Sequence, residues 1–229
     1  MRACLAAAAL VALAVSITPA AAQKRELVVA ASQADAGKLD PHQAAAGADK
    51  GILNWVFNAL VRIRPGQASP EFIEPDLAES WTANANGTEW TFRIRTGVQC
   101  HGGYGEFTAE DAAFSLKRAA TKETSAFAGD FASIDKVEAV DRNTLRITLK
   151  APIPSLLGLV SNYHGGLMVC RKAAMELGDG FGRKPIGTGP FAFVEYRPQQ
   201  FVKLAAHKAY FRGAPRASRT AAAGTRRTR

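Results

Sequence analysis

Hydrophobic and polar residues alternate most strictly at residues 89–95, where Trp90, Phe92 and Ile94 are set off by Thr91, Arg93 and Arg95. A period of two predicts a strand with one face inward and one in water. Asn86-Gly87 just before it is a hairpin turn signal. A second hairpin is predicted over 137–149, turning at Asp141-Arg142-Asn143, with Leu145, Ile147 and Leu149 on one face. A third pairs 191–196 with 201–205, where Phe201, Lys203 and Ala205 alternate along the second strand. The run at 26–32 reads as a first strand and 167–169 as a short one. Helical spacing appears at 49–60, where Ile52, Val56 and Ala59 share a face with Leu53 and Leu60 beside them. A helix over 109–120, burying Ala113, Leu116 and Ala120, follows a Thr108…Asp111 capping signature. Short helices are expected at 155–160 and 171–177. The tryptophans Trp55, Trp81 and Trp90 read as core. The class is mixed α/β with antiparallel hairpins in the chain.

The N-terminus reads as an export signal. Arg2 precedes an apolar run at 5–17, Pro19 breaks it, and Ala20-Ala21-Ala22 places cleavage before Gln23. The mature protein is expected to be exported and soluble. Export puts Cys100 and Cys170 in an oxidising compartment. Two separate buried thiols are the favoured expectation, and one disulfide the alternative. The chain of 229 residues carries a net charge of +9. Four arginines of the last thirteen residues, together with Arg2, account for much of it, and without these five the balance is +4. The charge is thus a property of a basic tail at 216–229. It supports nucleic-acid binding through that tail only as an alternative that conflicts with the export signal.

Candidate chemistry is sparse. Cys100 and His101 are neighbours and on a strand would point to opposite faces, which argues against a nucleophile pair. No HxxxH or CxxC spacing suggests a metal site. The glycines at 102–105 and 178–182 lack the spacing of phosphate-binding loops and read as plain loops. Asp40-Pro41-His42 reads as a turn whose carboxylate accepts local backbone N–H groups. Phe127 and Tyr163 lie in irregular, polar stretches and are plausible ligand platforms. No catalytic residues, cofactor or metal are expected.

The ordered blocks resemble the family 5 extracellular solute-binding proteins, the peptide, dipeptide and nickel binding components of ABC importers. The blocks are Leu39-Asp40-Pro41-His42, Pro75-Asp76-Leu77-Ala78-Glu79-Ser80-Trp81, the stretch from Trp90 to Val98, Phe107-Thr108-Ala109-Glu110-Asp111, Phe114-Ser115-Leu116, Gly187-Thr188-Gly189-Pro190-Phe191, and the stretch from His207 to Gly213. The resemblance implies a type II periplasmic binding protein-like fold of two lobes that close on the solute. Here only the N-terminal portion is expected, with the second lobe missing and the chain ended early. Residues 1–22 are then the signal peptide, 23–48 and 185–215 parts of lobe I, 49–184 an inserted α/β subdomain of that lobe, and 216–229 an aberrant tail. The implied partners are a small-molecule or short-peptide solute, an inner-membrane permease and its ATPase subunits, and no nucleic acid, with the protein a monomer. The expected function is solute binding for short-peptide import, impaired in the truncated form. The resemblance places ligand contacts at Ala45, Ala46 and Gly47, at Phe127, and at Asn162, Tyr163 and His164. A family glutamate that can follow the turn has no counterpart in Gln43-Ala44-Ala45-Ala46.

Overall fold

A computed structural model describes residues 28–29, 36–67, 69–162 and 165–215. Two units divide the chain. The first, Met1–Val29 with Arg219–Arg229, contributes only Val28 and Val29 to the described residues, both exposed. The second, Ala30–Ser218, holds the rest. The expected strand at 26–32, the signal segment and the basic tail lie outside the described residues.

The second unit is built around an antiparallel four-stranded sheet. Its strands are β3 (Ala78–Ala83), β4 (Glu89–Ile94), β5 (Ile134–Asp141) and β6 (Thr144–Leu149), in the order β3-β4-β6-β5. The alternation that predicts β4 also sets its register. Phe92 stands opposite Leu145 and Trp90 opposite Ile147, so the inward side chains of adjacent strands meet. Phe92, Ile94, Leu145 and Ile147 are completely buried. Helix α2 (Ala109–Ala119) covers this face, packing on β5 and β6. It buries Ala112, Ala113, Leu116 and Ala119, whereas Ala120, expected inside, is exposed just past the helix end. The opposite face of the sheet is laced with cross-strand ion pairs such as Arg93–Glu79 and Arg146–Glu89. Such solvated pairs keep the face soluble and add little stability.

The predicted capping signature at α2 forms. One oxygen of Asp111 accepts the Thr108 N–H at 2.8 Å and its hydroxyl at 3.0 Å. Its other oxygen accepts the N–H of Arg171 at 2.8 Å, the first residue of α4 (Arg171–Leu177). A single carboxylate therefore organises the starts of both helices.

Helix α1 spans Gly47–Val56, starting and ending earlier than the apolar period suggests. The residues after it, Ala59 and Leu60, are fully buried in irregular backbone rather than helix. They lead into β1 (Val61–Ile63), which pairs with β2 (Ile73–Pro75). Trp55 departs from its expected place in the core. It is 40% exposed on the outer side of α1, with its ring 6.3 Å from that of Phe191. Helix α3 (Leu156–Leu159) is a single turn. At 167–169 the expected strand reduces to one bridge, between Leu167 and Ala59. The third hairpin is present as β7 (Phe191–Arg197) and β8 (Phe201–Ala206). Its outward residues are Phe201, Lys203 and Ala205, while Val202 and Leu204 are the half-buried ones.

Cys100 and Cys170 are joined in a disulfide, with Cα atoms 6.2 Å apart. This overturns the favoured expectation of two separate thiols. Their separation of 70 residues hid the pairing, because contact between the loop before α2 and the start of α4 is a tertiary matter. Beside the disulfide runs the Gly187-Thr188-Gly189 turn, pressed against the end of α1. The Gly189 N–H donates to the Val56 carbonyl at 2.9 Å. A Cβ at Gly187 would stand 2.2 Å from that same carbonyl oxygen, and one at Gly189 would stand 2.6 Å from the Trp55 oxygen. Backbone cannot yield as a side chain does. Gly187→Ala is therefore expected to lower stability by about 3 kcal/mol, measured by urea unfolding. A change within experimental error would contradict the close approach.

Candidate functional site

Two of the segments expected to meet solute adjoin one turn, and Leu167, shortly after the third, is bonded to it. Residues 40–44 form it, with the Gln43 and Ala44 N–H groups donating to the Asp40 carbonyl and the His42 N–H donating to Asp40 Oδ1 at 3.0 Å. This is the local capping role read from the sequence. The turn delivers the chain to Ala45, Ala46 and Gly47, which are exposed where α1 begins. Asp49, two residues on and buried, accepts the N–H groups of Gly37 and Lys38 at 2.8 and 3.2 Å. It fastens the incoming chain to the same helix.

The second segment joins at the turn's backbone. The Ala126 N–H donates to the His42 carbonyl at 2.8 Å. Phe127 follows, only 8% exposed, with Lys50 Nζ of α1 5.6 Å from its ring centroid. The third segment packs on the second, since a Cβ at Gly165 would come within 3.0 Å of Phe127 Cβ. Asn162 is turned toward β1, where its Oδ1 accepts the Ile63 N–H at 3.2 Å. Tyr163 and His164 lie outside the described residues.

A buried polar cluster sits beneath the turn. Arg118 of α2 reaches Asp40 with two nitrogens, at 2.9 and 2.5 Å. Its Nη1 also donates to His42 Nδ1 at 2.8 Å. A guanidinium only donates, so Nδ1 must be the bare nitrogen and Nε2 must carry the proton. Nε2–H then donates to the Leu167 carbonyl at 3.0 Å. His42 is fully buried, and that burial, helped by the Arg118 charge and opposed by Asp40, pushes its pKa down to about 4. Arg118 and its links to Asp40 and His42 escaped sequence reading. Nothing local signals a contact across 78 residues.

A second cluster secures the far side of Leu167. Asp76, 1% exposed, accepts from Asn58 Nδ2 with both oxygens at 3.0 Å and from the Ala59 N–H at 3.1 Å. Arg212 donates to it at 3.2 Å, and Thr188 donates its hydroxyl to Asn58 Oδ1 at 3.1 Å. Burial raises the Asp76 carboxyl pKa despite these donors. The Met168 N–H donates to the Asn58 carbonyl at 2.8 Å, fixing the chain beyond Leu167.

His101 extends this packing. Its backbone N–H donates to the Gly187 carbonyl and its Nε2–H to the Gly189 carbonyl, each at 2.9 Å. Burial first, and the neighbouring His207, push its pKa down to about 4. Cys100 is bound in the disulfide and offers no thiolate nucleophile beside it. Among the described residues no group of three or more His, Cys, Asp or Glu is placed to hold a metal ion. A surface depression of about 340 Å³ is lined by Thr108, Glu110, Ala139 and Arg142 among others, and by none of the three segments. Among the described residues no helix is long and apolar enough to cross a membrane.

Residues 73–221 match the family described as "Bacterial extracellular solute-binding proteins, family 5 Middle". Di/tripeptide-binding protein 2 of Pseudomonas aeruginosa is 32% identical over 216 residues, covering 85% of this chain and 40% of that protein. Heme-binding protein A of Haemophilus influenzae is 33% identical over 179 residues, covering 69% of this chain and 32% of that one. The solved structure of MoaA from A. tumefaciens R10 in complex with mannopinic acid aligns with a TM-score of 0.77 and 50% identity, over 79% of this chain and 37% of that one. This chain thus spans 32% to 40% of the length of the curated relatives named. With its α/β architecture and its match across residues 73–221, the chain belongs to the family 5 bacterial extracellular solute-binding proteins and carries part of their type II periplasmic binding protein fold.

Proposed function

We propose that this chain belongs to the periplasmic solute-binding component of an ABC importer for short peptides, working with an inner-membrane permease and its ATPase subunits. The solute is met by Ala45, Ala46, Gly47, Phe127, Asn162, Tyr163 and His164, and is enclosed when a second lobe closes on this one. In this reading residues 23–48 and 185–215 belong to lobe I, and 49–184 form its subdomain. The observation that carries the proposal is the match of residues 73–221 to the solute-binding family, supported by the bond that ties Ala126, next to Phe127, to the turn leading into residues 45–47. The Di/tripeptide-binding relative supports a peptide solute. A second reading, mannopinic acid as solute, rests on the 50% identity to the protein solved with it.

The chain spans two fifths or less of these relatives, so by itself it supplies only part of the surface that encloses a solute. Weak binding by the 229-residue chain follows, with Kd on the order of 1 mM. An amide NMR titration with di- and tripeptides and with mannopinic acid tests this. Shifts confined to residues 45–47, 125–127 and 162–165 are expected at millimolar solute. Micromolar affinity would overturn the reading of a partial site, and no shift with any of these solutes would overturn the solute assignment.

A further inference from the structure

We propose that Arg118 is the positioning residue that holds the turn before α1, the Ala126–Phe127 segment and the backbone at Leu167 in one mutual geometry. The proposal rests on the solute reading above for what the segments do, and on geometry alone for how they are held. Arg118 comes from α2, which contributes none of the candidate contacts. Its side chain is 12% exposed, too enclosed to serve as a surface charge. It spends its donors on Asp40, which sets the turn, and on His42 Nδ1. That last bond dictates which nitrogen of His42 keeps its proton, and so lets Nε2 donate to the Leu167 carbonyl. Through the carbonyl of the same histidine the Phe127 segment is tied by Ala126. The backbone at the end of α2 adds a further link, because Thr124 donates its hydroxyl to the Arg118 carbonyl at 2.8 Å. The hydrogen bonds from the turn to Ala126 and to Leu167 thus both run through the histidine that Arg118 orients.

A bland account would make the cluster one more buried ion pair. Such a pair needs only charge, whereas this one needs the planar fork. One guanidinium meets two carboxylate oxygens and an imidazole nitrogen together, which a lysine ammonium cannot reproduce in one plane. The charged groups facing His42 are Arg118 from α2 and Asp40 from its own turn, and residue 167 presents only a carbonyl. Protonating His42 therefore sets a second cation against Arg118 and removes the acceptor that Arg118 uses.

The test is amide hydrogen exchange on the full chain, read as protection factors so that the intrinsic pH dependence divides out. In Arg118→Lys, protection of the His42, Ala126 and Met168 amides is expected to fall together by roughly tenfold or more, while Phe92 and Ile147 in the sheet keep theirs. In the wild type the same three amides should lose protection relative to the sheet between pH 6.5 and 4. In His42→Gln, which keeps Asp40 and Arg118 paired, that extra pH dependence should vanish. Should Arg118→Lys fail to fold, the wild-type and His42→Gln profiles decide the matter. Equal loss throughout the sheet, loss confined to His42, or an unchanged pH profile in His42→Gln would overturn the proposal. Coupled amides in a chain that binds no solute would remove the solute reading and leave the coupling. Solute binding with uncoupled amides would remove the coupling alone.

Discussion

Replacing both Cys100 and Cys170 with alanine is expected to lower the unfolding free energy by about 4 kcal/mol. The disulfide closes a loop of 70 residues, and without it the unfolded chain regains the entropy of that loop. The loop contains β5, β6, α2 and α3, half the strands of the central sheet and the helix that covers it. Both cysteines are at least 95% buried, which also removes packed sulfur from the core. The effect should show in guanidinium unfolding as a lower midpoint. It should also show as a steeper denaturant dependence, since the unlinked chain exposes more surface when it unfolds. A loss below about 1 kcal/mol with an unchanged slope would mean that the bond constrains little of the unfolded ensemble.

Acidification is expected to have an effect of similar size. His42 and His101 are both held neutral in the fold, with pKa values pushed down to about 4 from an ordinary 6.5. In the unfolded chain each takes up a proton near pH 6.5. Between pH 6.5 and 4 the unfolded state therefore binds more protons than the folded one, and stability falls as pH falls. The stabilisation is complete above pH 6.5 and is lost as pH drops toward 4, at on the order of 3 kcal/mol per histidine. Asp76 works in the opposite sense, because a buried carboxyl with a raised pKa prefers the protonated form in the fold. It softens the decline at the acid end. Urea unfolding from pH 7.5 to 4 should give a slope near two protons per molecule, and His42→Gln should remove about one. A flat profile would contradict the burial of His42 and His101 as neutral imidazoles.

How much of this was legible in the sequence depended on the range of the interaction involved. Period-two alternation placed β4 and β6 and their inward faces correctly, because a half-buried strand writes its environment into every second residue. The capping of α2 by Thr108 and Asp111 was equally readable, being local. Trp55 was misplaced because an aromatic at helical spacing says nothing about which side of α1 meets the sheet. The short strand at 167–169 dissolved into a single bridge because its neighbours, Asn58 and Ala59, lie in irregular backbone. The candidate site was legible only in part. The Asp40–His42 turn could be read, and the family resemblance supplied the segments. Their mutual placement depends on Arg118, and the polar latch on Asp76, Arg212 and Asn58. Those partners are contributed by elements far apart in the chain. The same holds for the disulfide. Four of the family blocks lie where the chain crosses itself, with Arg118 and His101 joining from outside them. Asp40 meets Arg118, Asp76 meets Arg212, and His101 meets the Gly187–Gly189 turn.

The account stands most directly on where solute touches this chain, and the NMR titration with short peptides and mannopinic acid measures that. It predicts millimolar-range shifts at residues 45–47, 125–127 and 162–165, with the amides of β3 to β6 unmoved. Shifts centred instead on the open face of the sheet or on the depression at the start of α2, or no shift with any of these solutes, would contradict it.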